Sequence, residues 1–262
     1  MTFKLSLLQS SPTLVVAIVL FLLLIAFYIL GYRLRTRALK NSQEHTLEDL
    51  GAINGTLLGL LALLLAFTFG MSNSRYDNRR SLAIEEANNI GTVILRTDIY
   101  PDSMRMVLRN HLKDYVEARI AFYQAGMDME KTYAEYFRAS EIGTKIWSIA
   151  AAYAQKDDIT TRTSELIPAL NAMIDITTTR RAAGEATIPD SIMYFLFTLC
   201  ICSAFLLGYD RKNKFDWIVV IGFALMLSAT VFTIIDLDRP RSGLIDMDRS
   251  NQKIIELREM FK

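Results

Sequence analysis

The sequence predicts an all-α membrane protein: four transmembrane helices, with a helical, water-exposed insert between the second and the third. Three observations predict it. Hydrophobic residues make up 52% of the chain and charged ones 22%, yet the apolar residues gather in two blocks, one before Ser72 and one after Pro189. Within those blocks the segments 14–32, 53–71, 191–209 and 217–235 carry no formal charge, and each comes close to the ~20 apolar residues that cross a hydrocarbon core of ~30 Å. Between the blocks, apolar residues recur with a helical period, and no strand-like alternation competes with it.

The first span, 14–32, is followed by Arg33, Arg35 and Arg37 where a signal peptide would carry a small-residue cleavage site, so it is read as a retained span. The second, 53–71, completes a membrane segment 1–71 and runs into proline-free sequence from Ser72 to Arg96. The helix is therefore expected to leave the bilayer unbroken and enter the insert, 72–190. Pro101, Gly126 and Lys156-Asp157-Asp158 divide the rest of the insert into long helices. Their apolar faces run through Leu108, Leu112, Tyr115, Val116, Ile120 and Tyr123, then through Tyr133, Tyr136, Phe137, Ile146, Trp147, Ile149 and Tyr153, then through Leu166, Leu170, Met173 and Ile174. Helices with one apolar stripe pack on each other. The spans 191–209 and 217–235 form a second membrane segment, 191–235, with Tyr209 and Trp217 at headgroup level. Residues 236–262 form a helical tail. An even number of spans puts both termini and the insert on one side, but basic residues flank both faces too evenly to say which.

A net charge of +1 supplies no electrostatic footprint for nucleic acid. Cys200 and Cys202 are two apart in an apolar run, about 200° around a helix, which suits neither a disulfide nor a shared metal. The only histidines are His45 and His111, and no nucleophile elbow, phosphate-cradling loop, HExxH or CxxC is present. The sequence therefore predicts neither an enzyme nor a cofactor.

The second span carries the most information. At about 100° per residue, Gly51, Gly55, Gly59, Ala62, Ala66 and Gly70 share one sector. Such a stripe of small residues lets another helix backbone approach closely. Leu60, Leu63, Phe67 and Met71 occupy another face; repeated around an axis they would form a hydrophobic constriction, and facing lipid they would be ordinary membrane surface. Next come Arg75, Arg79 and Arg80, which as rings at a pore mouth would attract anions. Alternatively they pair with Asp77, Glu85 and Glu86 on a solvated helix. Asp236 and Asp238 close the fourth span, where they oppose the helix dipole and need a partner. Arg239 and Arg241 could supply it, or, with Asp246 and Asp248, a divalent cation.

Three segments together resemble the bestrophin-like family of bacterial membrane proteins. They are the second span ending in Ala66-Phe67-Thr68-Phe69, the run from Tyr76-Asp77 to Glu86-Ala87-Asn88-Asn89-Ile90-Gly91-Thr92 with Arg96 after it, and the closing Asp236-Leu237-Asp238-Arg239-Pro240-Arg241-Ser242-Gly243. The family is remotely similar to the bestrophins, homopentameric anion channels whose second helices line a narrow apolar neck and whose termini and insert lie in the cytosol. The resemblance implies a homo-oligomer, a pentamer, in the bacterial inner membrane, with the insert and both termini cytoplasmic and Leu63, Phe67 and Met71 in the neck. Animal bestrophins clasp calcium with a dense acidic cluster after the fourth span; here Arg239 and Arg241 break that cluster. The reading is an oligomeric, anion-conducting channel lined by the second span, whose partners are the bilayer, copies of itself and small inorganic ions. The alternative is a membrane-anchored interaction or sensory module that oligomerises through its transmembrane helices without conducting.

Overall fold

The computed structural model describes residues 11–41, 50–126, 128–156, 160–211, 215–239, 245 and 247–262. Among the described residues eight α-helices follow in order: α1 Thr13–Asn41, α2 Gly51–Arg96, α3 Asp102–Gln124, α4 Met129–Ala154, α5 Thr160–Glu185, α6 Asp190–Asp210, α7 Trp217–Asp238 and α8 Asp248–Glu256. Short 3-10 helices, Thr97–Ile99 and Leu257–Phe261, follow α2 and α8. No strand occurs among the described residues, and four helices are long and apolar enough to cross a membrane. At 46 residues, α2 extends about 70 Å at 1.5 Å per residue, more than twice a hydrocarbon core. The proline-free stretch after Ser72 is thus helical to Arg96, as its sequence leads one to expect.

The chain divides into two compact units, Met1–Ser74 with Thr187–Arg239, and Arg75–Ala186 with Pro240–Lys262. The first contains α1, α6, α7 and the beginning of α2. Its core includes Leu20, Leu24, Leu61, Leu196, Val231 and Ile234. A close helix approach joins α1 to α6 at two glycines. A Cβ on Gly31 would collide with the Phe205 carbonyl and stand 2.8 Å from the Tyr209 nitrogen; one on Gly208 would collide with the Tyr28 carbonyl. At one end of this bundle Arg35 Nη1 donates to the Tyr209 carbonyl (3.0 Å), and the Asp210 carboxylate accepts from Asn54 Nδ2 (2.9 Å) and the Leu50 amide (3.3 Å).

The second unit packs the remainder of α2 with α3, α4, α5 and α8. Its core draws on Ile90, Val93 and Ile94 of α2, Leu108, Leu112, Tyr115 and Val116 of α3, Ile146 of α4, Leu166, Leu170 and Met173 of α5, and Ile254 and Leu257. The expected stripes on α3 and α5 are those the core uses. On α4 the outcome differs, because Thr132, Ala139, Gly143, Ile146 and Ala150 are buried while Phe137 and Trp147 are exposed. Small residues bring this helix close to its neighbours. Phe137 and Trp147 stay outside, where the Trp147 indole donates to Asn171 Oδ1 (2.9 Å), and the Arg181 guanidinium lies 4.8 Å from the ring centre of half-buried Tyr136.

Candidate functional site

Within the membrane unit, α2 presents two unlike sides. Asn54, Leu61, Thr68 and Ser72 are buried and Leu57, Leu64 and Leu65 are half-buried, an arc of about 120° turned toward its own bundle. The rest is open. Gly51, Gly55, Gly59, Ala62 and Ala66 are exposed, and a Cβ added at Gly55, Gly59 or Gly70 would meet nothing within 4 Å. Beside them Leu63 is 53% exposed, Phe67 63% and Met71 36%. The small-residue stripe and the bulky apolar line are therefore neighbouring parts of one surface spanning roughly 200° of the helix. Among the described residues neither is covered by packing inside the chain.

Beyond Ser74 the three arginines have different surroundings. Arg79 is buried, and its Nε and Nη2 donate to the carbonyls of Ala183 and Ala186 at 3.0 and 2.7 Å. It thereby satisfies acceptors that the end of α5 would otherwise leave open. Arg80 stands on the surface, 3.8 Å from Asp77 and over the Tyr76 ring. Arg75 is half-buried.

Further along α2, Glu86 occupies a different environment from the solvated helix face that the mixed charge run suggested. Its carboxylate is fully buried and accepts four hydrogen bonds: from Arg119 Nε at 2.5 Å on Oε1, and from Arg119 Nη2 (3.1 Å), Tyr123 Oη (2.7 Å) and Arg180 Nη1 (2.7 Å) on Oε2. Arg119 Nη2 also donates to Tyr123 Oη (2.6 Å), and Arg180 Nη2 donates to Asn251 Oδ1 (3.1 Å). Helices α2, α3 and α5 thus meet at one carboxylate, and α8 joins them through Arg180. Burial pushes the Glu86 carboxyl up, but Arg119 and Arg180 together with the Arg119 and Tyr123 hydrogen bonds outweigh it and hold it down to about 2. Burial also raises the Tyr123 phenol, so two cations face one anion in the core. A signal was present in the sequence: Arg119 lies inside the apolar stripe of α3, between Val116 and Ile120, and a charge there needs a buried partner.

Asp236 and Asp238 are buried. Asp238 Oδ2 accepts from the Ile188 amide at 2.8 Å, just before α6 begins, and Arg239 donates to the Ser11 carbonyl (2.5 Å). Among the described residues no three His, Cys, Asp or Glu side chains gather as a metal site would require; Arg241, Asp246 and the Asp248 side chain lie outside them.

Similarity to known proteins fits this architecture. No curated protein matches the chain in sequence. Among solved structures, a variant of a bacterial bestrophin homologue from Klebsiella pneumoniae superimposes with a TM-score of 0.73 at 12% identity, over 96% of this chain and 97% of that one. Another crystal structure of the Klebsiella pneumoniae homologue gives a TM-score of 0.70 at 14% identity, over 93% and 98%. At such identities the likeness is one of fold. The model of the bestrophin-like domain matches residues 13–251, nearly the whole chain, and the protein therefore belongs to the bestrophin-like family.

Proposed function

We propose that the protein is a homo-oligomeric ion channel whose pore is lined by α2. Family membership supports an ion channel in general terms. The observation that carries the finer reading is the open face of α2, where stripe and bulky line adjoin and lie exposed among the described residues. In a closed ring, Gly51, Gly55, Gly59, Ala62 and Ala66 would face a neighbouring subunit and let it approach closely, while Leu63, Phe67 and Met71 would point toward the axis as an apolar neck. A pentamer in the inner membrane, with insert and termini in the cytoplasm, completes the proposal.

Anion conduction is part of this reading and rests on fewer charges than the arginine triplet suggested. Arg79 is spent on the α5 carbonyls and Arg80 stands near Asp77. Arg75 is half-buried and Arg80 exposed, and both stay candidates to favour an anion. A divalent site at Asp236 and Asp238 is the weakest element, since the Ile188 amide already engages Asp238.

Ion flux through vesicles containing the purified oligomer tests the proposal. An apolar ring is a barrier because an ion entering it sheds water without gaining polar ligands. Phe67→Ala should raise flux, whereas Leu225→Ala, exposed on α7, should not. A reversal potential following the chloride gradient supports anion conduction; one following the cation gradient assigns selection to Asp77 and Glu85 instead. If neither the native protein nor the Phe67 variant conducts, the non-conducting interaction module is the better account.

A further inference from the structure

A cavity of about 240 Å³ opens in the membrane unit among α1, α6 and the first turns of α7, lined by Tyr28, Leu207, Asp210, Arg211, Val219 and Phe223. Its level in the bilayer is marked by aromatic rings. Phe215 packs edge-on against Tyr28, Tyr32 and Trp217, with centroids 5.9, 5.3 and 4.9 Å away, and such rings gather where hydrocarbon meets headgroups.

The lining is divided by chemistry. Leu207, Val219 and Phe223 form an apolar wall, and Val219 is exposed on the outer side. At the other end stand Asp210, Arg211 and the Tyr28 hydroxyl. The Asp210 carboxylate is engaged by Asn54 and the Leu50 amide. Arg211 is less well satisfied: its Nη2 is 3.7 Å from Asp216 Oδ2, and its Nε is buried with no hydrogen-bond partner among the described residues. A guanidinium at headgroup depth, with donors to spare and an apolar wall beside it, matches a phosphodiester joined to a hydrocarbon chain. Free phosphate would leave the wall unused, and a neutral lipid would leave the guanidinium unmet. The volume is below the ~300–1,000 Å³ that encloses a whole drug-sized ligand, so it takes only part of the molecule.

We propose that this cavity binds a glycerophospholipid, its phosphate on Arg211 and Tyr28 and the upper part of one acyl chain against Leu207, Val219 and Phe223. The site lies apart from the open face of α2 and does not depend on whether the protein conducts.

Native mass spectrometry of the delipidated full-length protein tests it, with phosphatidylglycerol, diacylglycerol of the same chains, and inorganic phosphate as probes. Phosphatidylglycerol should bind at least about tenfold more tightly than diacylglycerol, and Arg211→Gln should remove that advantage. Val219→Trp, which fills the cavity from its rim, should weaken phosphatidylglycerol to a similar degree. Unfolding midpoints of both variants without lipid check that they fold; should the tryptophan variant fail, Arg211→Gln decides alone. Wild-type affinity in Arg211→Gln, equal binding of diacylglycerol, or displacement of the lipid by millimolar phosphate each overturns the proposal.

Discussion

Replacing Glu86 with glutamine keeps the shape of the side chain and removes the one negative charge between two buried guanidinium groups. The Arg119 and Glu86 side chains are 1% and 0% exposed and Arg180 is 7% exposed, so water cannot screen what remains. Removing one partner of a buried ion pair costs about 3–5 kcal/mol. The carboxyl leads to a similar figure: held near 2 from an ordinary 4.5, it favours the folded state by on the order of 3 kcal/mol at neutral pH, at 1.36 kcal/mol per pH unit. Its folded value is depressed, so that contribution is complete above about pH 4.5 and is lost as pH falls toward 2. Against a typical stability of about 5–15 kcal/mol, Glu86→Gln removes a large share. The two tryptophans allow a clean assay, since Trp147 lies in the insert unit and Trp217 in the membrane unit. In a Trp217→Phe background, denaturant unfolding followed by Trp147 emission should shift by about 3 kcal/mol in Glu86→Gln, and the variant should lose the acid-dependent fall of the parent. A shift under about 0.5 kcal/mol, or an unchanged acid profile, would refute the buried triad.

Other expectations follow from the packing and the proposed topology. Gly208→Ala forces a Cβ into the Tyr28 carbonyl and should lower the thermal midpoint of the membrane unit, whereas Gly59→Leu should leave the protomer folded and reduce oligomer mass in detergent. Arg79→Met should cost about 1–3 kcal/mol by leaving the Ala183 and Ala186 carbonyls short of donors; an unchanged unfolding midpoint would free Arg79 for a part in ion attraction. Arg258, bidentate on Glu117 but about half exposed, should matter little, with Arg258→Ala costing about 1 kcal/mol or less, and less again in high salt. Gln124→Cys should resist a membrane-impermeant thiol reagent in intact cells; ready labelling would place the insert on the outer side.

The elements were legible because each obeys a local rule. Charge-free runs of nearly twenty residues mark the spans, and the absence of proline between Ser72 and Arg96 carries α2 into the insert. The open face of α2 was legible as a pattern, although a wheel alone could not tell which arc the chain's own bundle would cover; Leu61, Thr68 and Ser72 answer that. What escaped is pairwise. Gly31 and Gly208 are single glycines in separate spans and form no stripe, yet they mark a crossing with no room for a Cβ. The partners of Glu86 come from α3 and α5, 33, 37 and 94 positions away, and no periodicity connects such distances. The Tyr133, Phe137 and Trp147 stripe misled because aromatic size was read as burial, whereas Ala139, Gly143 and Ala150 are what permit close approach.

The placement of α8 bears on how the protein is made. Ile254 and Leu257 fill a core whose other walls, α2 to α5, are synthesised before the third and fourth spans, while α8 is synthesised after both. At ~5–20 residues per second, the ribosome needs several seconds to pass from Glu185 to Asp248. For that interval the insert stands without one of its walls, and Arg180 without Asn251. Two hydrophobic helices must be threaded into the bilayer before this polar-faced unit can close, so a defect in inserting α6 or α7 should surface first as an unfinished insert, open to chaperones and proteases.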